Sequence, residues 1–190
     1  TIMNQTFVPP TPLNPEHTEW ADVCHFGGVL AACRYRFDEA LGRYEWVETG
    51  PVIKPEEGSF SEASVIPYGD EWIVAARSKP GPIGWMRTPD LFGKVSPVTW
   101  PEDVYHNGPI TAFRCLDGTI RLFTGDMKVS PYFNGRNPLY CWEIDPDRGF
   151  KASNRRVVLD TLVSRLPFPI LFQPQVSPIV DYAKVLPHTG

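Results

Sequence analysis

Asp38-Glu-Ala-Leu-Gly42-Arg-Tyr-Glu-Trp46, Asp90-Leu-Phe-Gly93 and Asp145-Pro-Asp147-Arg-Gly149-Phe150 are three copies of one short pattern. Each has an Asp, a Gly a few residues later, and an aromatic residue further on, which for the second copy is Trp100. The glycines are spaced by 51 and 56 residues. Each copy follows a strand-like run: Val29–Tyr35, Ile83–Arg87 and Leu139–Ile144. Each precedes another: Tyr44–Val52, Val95–Trp100 and Arg156–Leu162. The pattern therefore reads as the closing turn of a hairpin. An Asp carboxylate can accept from backbone N–H groups of the turn, and Gly tolerates φ > 0.

Two of the repeats carry a second strand pair upstream. Ala63–Pro67 and Glu71–Arg77 flank Tyr68-Gly-Asp70, and Ile110–Cys115 and Thr119–Phe123 flank Asp117-Gly118. The unit is thus four short strands in about fifty residues, the size of a propeller blade. No stretch sustains apolar residues at i, i+3, i+4 and i+7, so helix should be scarce. The fold class expected is all-β. It is a β-propeller fragment of about three to four four-stranded blades, in a single partial domain. The blade segments fall at about 20–54, 58–103 and 107–163, with the start of another at 175–190. Asp160–Gln175 fits the repeat poorly and reads as an inserted loop, and Ser177–Leu186 reads as a first strand. A β-sandwich with regular turns is the structural alternative.

Composition narrows the class. Of 190 residues, 21 are Pro and 15 Gly, which demands frequent turns, while 42% hydrophobic content is too apolar for disorder. The net charge of −4 gives no reason to expect nucleic acid or an anionic membrane as partner. Leu166–Phe172 is apolar, but Pro167 and Pro169 interrupt it, and it is too short to span a bilayer. No signal peptide is visible, the compartment stays open, and both chain ends read as cuts. Cys24, Cys33, Cys115 and Cys141 form no CxxC pair, so they read as buried free thiols rather than zinc ligands. No metal or other cofactor is expected.

Blade geometry says where side chains converge. With strands labelled a to d from axis to rim, the Asp…Gly turns are c–d hairpins on one face. The entrances to strand a and the b–c loops share the other face. That face should carry Glu62 entering strand a and Arg77 leaving strand b of one blade. His106 and Asn107 should enter strand a of the next, Asp126 should leave its strand b, and Arg136 should follow in its b–c loop. Tyr182 lies in the last strand-a candidate. Two guanidinium forks in one pocket suit an anionic ligand group. Each residue also has a plainer reading. Glu62 and Arg77 can form a structural ion pair, Arg136 can be solvated, and Tyr182 can pack. His106 and Asp126 can simply hold loops.

These residues resemble the sialidase (neuraminidase) superfamily. The Asp…Gly hairpins are similar to degenerate Asp boxes of its BNR repeats. Ser61-Glu-Ala-Ser-Val65 followed by Trp72–Arg77 resembles the family segment with a catalytic Glu and then a triad Arg. Arg136 before the Asn137–Gly149 strand and box resembles the next triad Arg, and Asp181-Tyr182-Ala-Lys-Val-Leu186 resembles the nucleophile segment. The resemblance implies a six-bladed propeller and an exo-acting, retaining glycosidase for an acidic sugar. In it Tyr182 attacks, Glu62 is its base, and Arg77 and Arg136 bind the substrate carboxylate; blade geometry, not the resemblance, adds His106, Asn107 and Asp126 as substrate-binding candidates on the same face. A further triad Arg and an acid/base Asp have no match before Glu62 and would lie in blades missing from this chain. Such a fragment should hydrolyse poorly and should self-associate through open blade edges. Two other functions compete. One is a propeller polysaccharide lyase on uronate chains, with His106 and Tyr182 moving the proton. The other is a carbohydrate-binding propeller without turnover.

Overall fold

The computed structural model describes residues 11–13, 18–78, 81–106, 108–130 and 137–160. Three antiparallel sheets, joined in chain order, stack face to face. The first contains β1 (Thr11–Pro12), β2 (Glu19–Phe26), β3 (Val29–Asp38) and β4 (Arg43–Ile53), paired in that order. The second contains β5 (Ala63–Tyr68), β6 (Glu71–Ala76) and, beyond the two-residue β7 (Gly81–Pro82), β8 (Gly84–Thr88). After β9 (Tyr105–His106), the third contains β10 (Thr111–Arg114), β11 (Ile120–Thr124), β12 (Leu139–Asp145) and β13 (Lys151–Leu159). Among the described residues the one helical element is a 3-10 turn at Pro146–Arg148. No described helix is long and apolar enough to cross a membrane.

The central sheet buries both faces, and strand alternation decides which side chain goes where. Ala63, Val65, Val74, Ala76 and Met86 join Ala21, Val23, Leu30 and Ala32 of the first sheet in one core. Ile66, Ile73, Ala75 and Trp85 join Ala112, Leu122, Trp142 and Phe150 of the third sheet in another. Trp85 and Phe150 stack across this second seam at 5.1 Å. Ser64 Oγ accepts from the Ala112 N–H at 3.1 Å, tying the innermost strands together.

The Asp…Gly turns close the outer hairpins by two different means. Asp38 Oδ1 accepts from the Leu41 N–H and Asp145 Oδ1 from the Asp147 N–H. There Gly42 and Gly149 take φ of 62° and 64°, as expected. Asp90 Oδ1 likewise accepts from the Phe92 N–H, but Gly93 is not left-handed. It is Gly because a Cβ would lie 2.8 Å from Asp90 Oδ2. The strand expected at Val95–Trp100 is reduced to a single bridge between Thr99 and Trp85. Pro97 and Pro101 lack the N–H that a ladder needs. All four cysteines are free thiols, Cys24 and Cys33 buried and Cys115 and Cys141 half-buried.

Candidate functional site

Glu62 and Arg77 are set opposite each other by the β5–β6 hairpin. Its register runs without a bulge from Tyr68↔Glu71 to Ala63↔Ala76. The ladder then continues one step, with the Arg77 N–H donating to the Glu62 carbonyl at 2.7 Å. The Ser61 N–H returns a bond to the Arg77 carbonyl at 2.8 Å. Alternation places both side chains on the face shared with Ile66 and Ala75, toward the third sheet. Arg77 Nη1 donates to both Glu62 oxygens at 2.6 Å. The pair is largely removed from water, with side chains 19% and 8% exposed.

His106 comes to the same place from the other side of the seam. Gly81↔His106 and Pro82↔Tyr105 pair β7 with β9. The loop between β6 and β8 of the central sheet is thereby zipped to the segment entering the third. His106 is fully buried, and neither ring nitrogen has a hydrogen-bond partner; Arg77 Nε is also buried without one. Burial, and then the Arg77 charge, hold the imidazole neutral, with its pKa down to about 4. A Gly108 backbone group pulls the other way without making a full hydrogen bond to either nitrogen.

Asp126 lies at the exit of β11, where its Oδ1 accepts from the Lys128 N–H at 2.8 Å and the Tyr105 N–H at 3.4 Å. Its carbonyl accepts from the Ser130 N–H, and the Met127 N–H donates to the Tyr105 carbonyl. Burial pushes its carboxyl above the ordinary range. Asp126 therefore shapes the loop that carries His106. Asn107, Arg136 and Tyr182 lie outside the described residues. So the structure brings Glu62, Arg77 and His106 to one seam and puts Asp126 behind them as a loop clamp.

Sequence reasoning passed over two supports of this face. Ser78 Oγ donates to the Pro82 carbonyl at 3.0 Å, and Thr124 Oγ1 donates to the Pro109 carbonyl at 3.0 Å. Farther along the seam, a void of about 10 Å3 among Trp85, Leu122, Ile144 and Phe150 is water-sized and mainly apolar in its lining, so it is no substrate site.

A carboxylate locked on a guanidinium, next to a neutral imidazole, leaves N–H groups that need an oxygen acceptor. Arg77 Nε–H is one, and whichever His106 nitrogen carries the proton is another. The other imidazole nitrogen accepts.

No protein-family profile matches the chain. No curated protein matches it in sequence. Solved structures do match in shape. Xyloglucan PUL GH43B of Bacteroides ovatus superposes with a TM-score of 0.55 at 12% identity, over 75% of this chain and 29% of that one. Xylan beta-1,4-xylosidase of Bacillus halodurans C-125 superposes with a TM-score of 0.56 at 8% identity, over 75% of this chain and 30% of that one. NanB sialidase of Streptococcus pneumoniae gives 0.48 at 14% identity, over 76% of this chain and 22% of that one. The chain thus spans less than a third of the length of these structures. At such identities the likeness concerns shape alone. Together with the stacked sheets and rimward Asp…Gly turns, the likeness to the first two makes the fold that of a β-propeller segment.

Proposed function

We propose that the chain is part of a propeller glycoside hydrolase acting on a terminal acidic sugar, with Glu62, Arg77 and His106 on its ligand-binding face. One observation carries the reading. Arg77 Nε and both His106 nitrogens are buried without partners beside a carboxylate. Leaving such groups unsatisfied is costly, and an anionic oxygen group supplies what they lack. Support for a sugar as the rest of the ligand comes from like-shaped structures named as a xylosidase and a glycoside hydrolase of a xyloglucan locus.

On this reading Arg77 and Arg136 hold the sugar carboxylate. Tyr182 attacks the anomeric carbon while Glu62 takes the phenolic proton. His106 stays neutral and donates or accepts at the ligand's oxygens, with Asn107 beside it. Asp126 acts at one remove, by fixing the Tyr105–His106 segment. A second reading, a carbohydrate-binding propeller without turnover, draws support from Glu62, whose two oxygens are both engaged by Arg77.

The test is calorimetric titration of the chain with the unsaturated glycal of sialic acid, which resembles a flattened transition state. Binding by wild type that weakens at least tenfold in Arg77→Lys supports the carboxylate clamp, because Lys keeps the charge and loses the fork. Slow hydrolysis of an aryl sialoside, abolished in Tyr182→Phe, then separates hydrolase from lectin. No glycal binding, with turnover of an aryl xyloside instead, would retain the glycosidase and remove the acidic sugar.

A further inference from the structure

The hydrogen-bond inventory of the His106 seam is uneven, and its imbalance bears on what a ligand carries besides charge. Glu62 is occupied, because Arg77 Nη1 donates to both of its oxygens at 2.6 Å. Left over are Arg77 Nε and the two nitrogens of His106, all buried and all without a partner. The His106 side chain is fully buried. Burial, and then the Arg77 charge, hold its pKa down to about 4, so the ring is neutral at pH 7.

A neutral imidazole has one N–H that donates and one bare nitrogen that only accepts. The two nitrogens point away from each other, so no single oxygen serves both. Arg77 Nε–H and the imidazole N–H are donors, and a carboxylate, which only accepts, suits them. It cannot suit the bare nitrogen, which needs an O–H or N–H. The polar groups that support this face are already committed. Ser78 Oγ donates to the Pro82 carbonyl and Thr124 Oγ1 to the Pro109 carbonyl. The Tyr105 and Lys128 N–H groups donate to Asp126.

We infer that His106 is a specificity residue, accepting a hydrogen bond from a ligand hydroxyl, so that the seam prefers a hydroxylated acid to a simple carboxylate. This role rests on the acidic-ligand reading of the seam and adds a donor that the Arg77 clamp does not itself require. An acid without the hydroxyl leaves the buried nitrogen as unpaired as it was before binding. A site with a buried acceptor for a ligand O–H therefore discriminates against the analogue that lacks it.

The experiment is calorimetric titration of the 190-residue chain with two probes. One is the unsaturated glycal of sialic acid. The other is the bare dihydropyran carboxylate, which shares its unsaturated ring and acid group but has no hydroxyl. Wild type should bind the glycal at least about tenfold more tightly than the bare acid. His106→Phe has no ring nitrogen, and its preference for the glycal should shrink by about tenfold. His106→Gln again offers a donor and an acceptor and should recover part of that preference. His106→Phe also removes two unsatisfied polar atoms from the free protein, so its thermal midpoint should not fall below wild type. Equal binding of both probes by wild type overturns the inference and leaves the carboxylate clamp standing. So does a wild-type preference retained in His106→Phe, or in His106→Leu if the larger ring prevents folding. Binding of neither probe by wild type removes the acidic-ligand reading and the inference with it.

Discussion

The two ends of the central sheet each hold an arginine against carboxylates, and they do it in opposite surroundings. At one end Arg77 grips Glu62 at 2.6 Å with both side chains largely buried. At the other, Arg87 holds Glu71 at 2.6 Å and Asp147 of the neighbouring turn at 2.9 Å, with side chains 34%, 38% and 67% exposed. The contact distances are nearly the same, so distance does not distinguish the two ends. Water does. The exposed cluster has no buried N–H left over, whereas the buried pair leaves Arg77 Nε unsatisfied beside the two His106 nitrogens. Polar groups kept dry and unsatisfied cost stability, and a fold retains them where a ligand completes them.

The largest effect should come from breaking the buried pair. Arg77→Ala strips Glu62 of its guanidinium in a dry setting and should lower unfolding stability by about 3–5 kcal/mol. Urea denaturation measures this. Replacing both partners, Glu62→Gln with Arg77→Met, should recover much of the loss, because no buried charge is then stranded. A single-mutant loss below about 1 kcal/mol would show that water reaches the pair, and the contrast between the two ends would disappear.

The next effect is acid lability from His106. Its pKa is about 4 folded and about 6.5 unfolded. Between these values the unfolded chain binds the proton and the folded one does not, so stability falls as pH drops from 6.5 to 4 and levels off below. The shift corresponds to about 3 kcal/mol. Asp126, with its raised carboxyl pKa, acts in the opposite sense as pH falls through its folded value. Thermal midpoints read from pH 7 to pH 4 should decline for wild type and decline less for His106→Gln. Parallel curves would mean that His106 is solvated or partnered in solution.

How much of this was legible in the sequence depended on how local the cause was. The turns were readable because Asp and Gly act within five residues. Glu62 opposite Arg77 was readable too, since a hairpin without a bulge reduces to counting outward from Gly69. The hairpin between β2 and β3 carried the same kind of signal in Gly27-Gly28, with φ of 57° and 98°, ahead of a strand whose mixed Glu19–Phe26 composition concealed it. Val95–Trp100 looked like a strand from its apolar residues, yet Pro97 takes away a ladder donor. Asp126 was placed on that face by its position at the exit of a strand, where it could line the site or hold the loop. That its oxygen is taken by two backbone N–H groups depends on residues 21 positions apart. The unsatisfied state of His106 is less local still, because it follows from everything that fails to reach it.

The smallest effect, and the sharpest control, lies at the exposed end. Arg87 bridges the central sheet to the third through Asp147, and the Tyr68 hydroxyl donates to the same carboxylate at 3.2 Å. The Arg87 guanidinium also lies 5.4 Å from the Tyr68 ring centre. That makes a network, which can exceed a lone surface pair, but every member is open to solvent and ions. Arg87→Ala should therefore cost no more than about 1 kcal/mol. The Arg87→Ala, Asp147→Asn double-mutant cycle should give a coupling of about 0.5 kcal/mol that fades in 1 M salt. The Arg77–Glu62 pair should keep its coupling in the same salt, since the Debye length matters little where ions cannot enter. If both couplings collapse alike, the seam is wet and the unsatisfied nitrogens are hydrated. If only the Arg87 coupling collapses, the inner end is closed to bulk ions, as the ligand-binding reading of Arg77 and His106 requires.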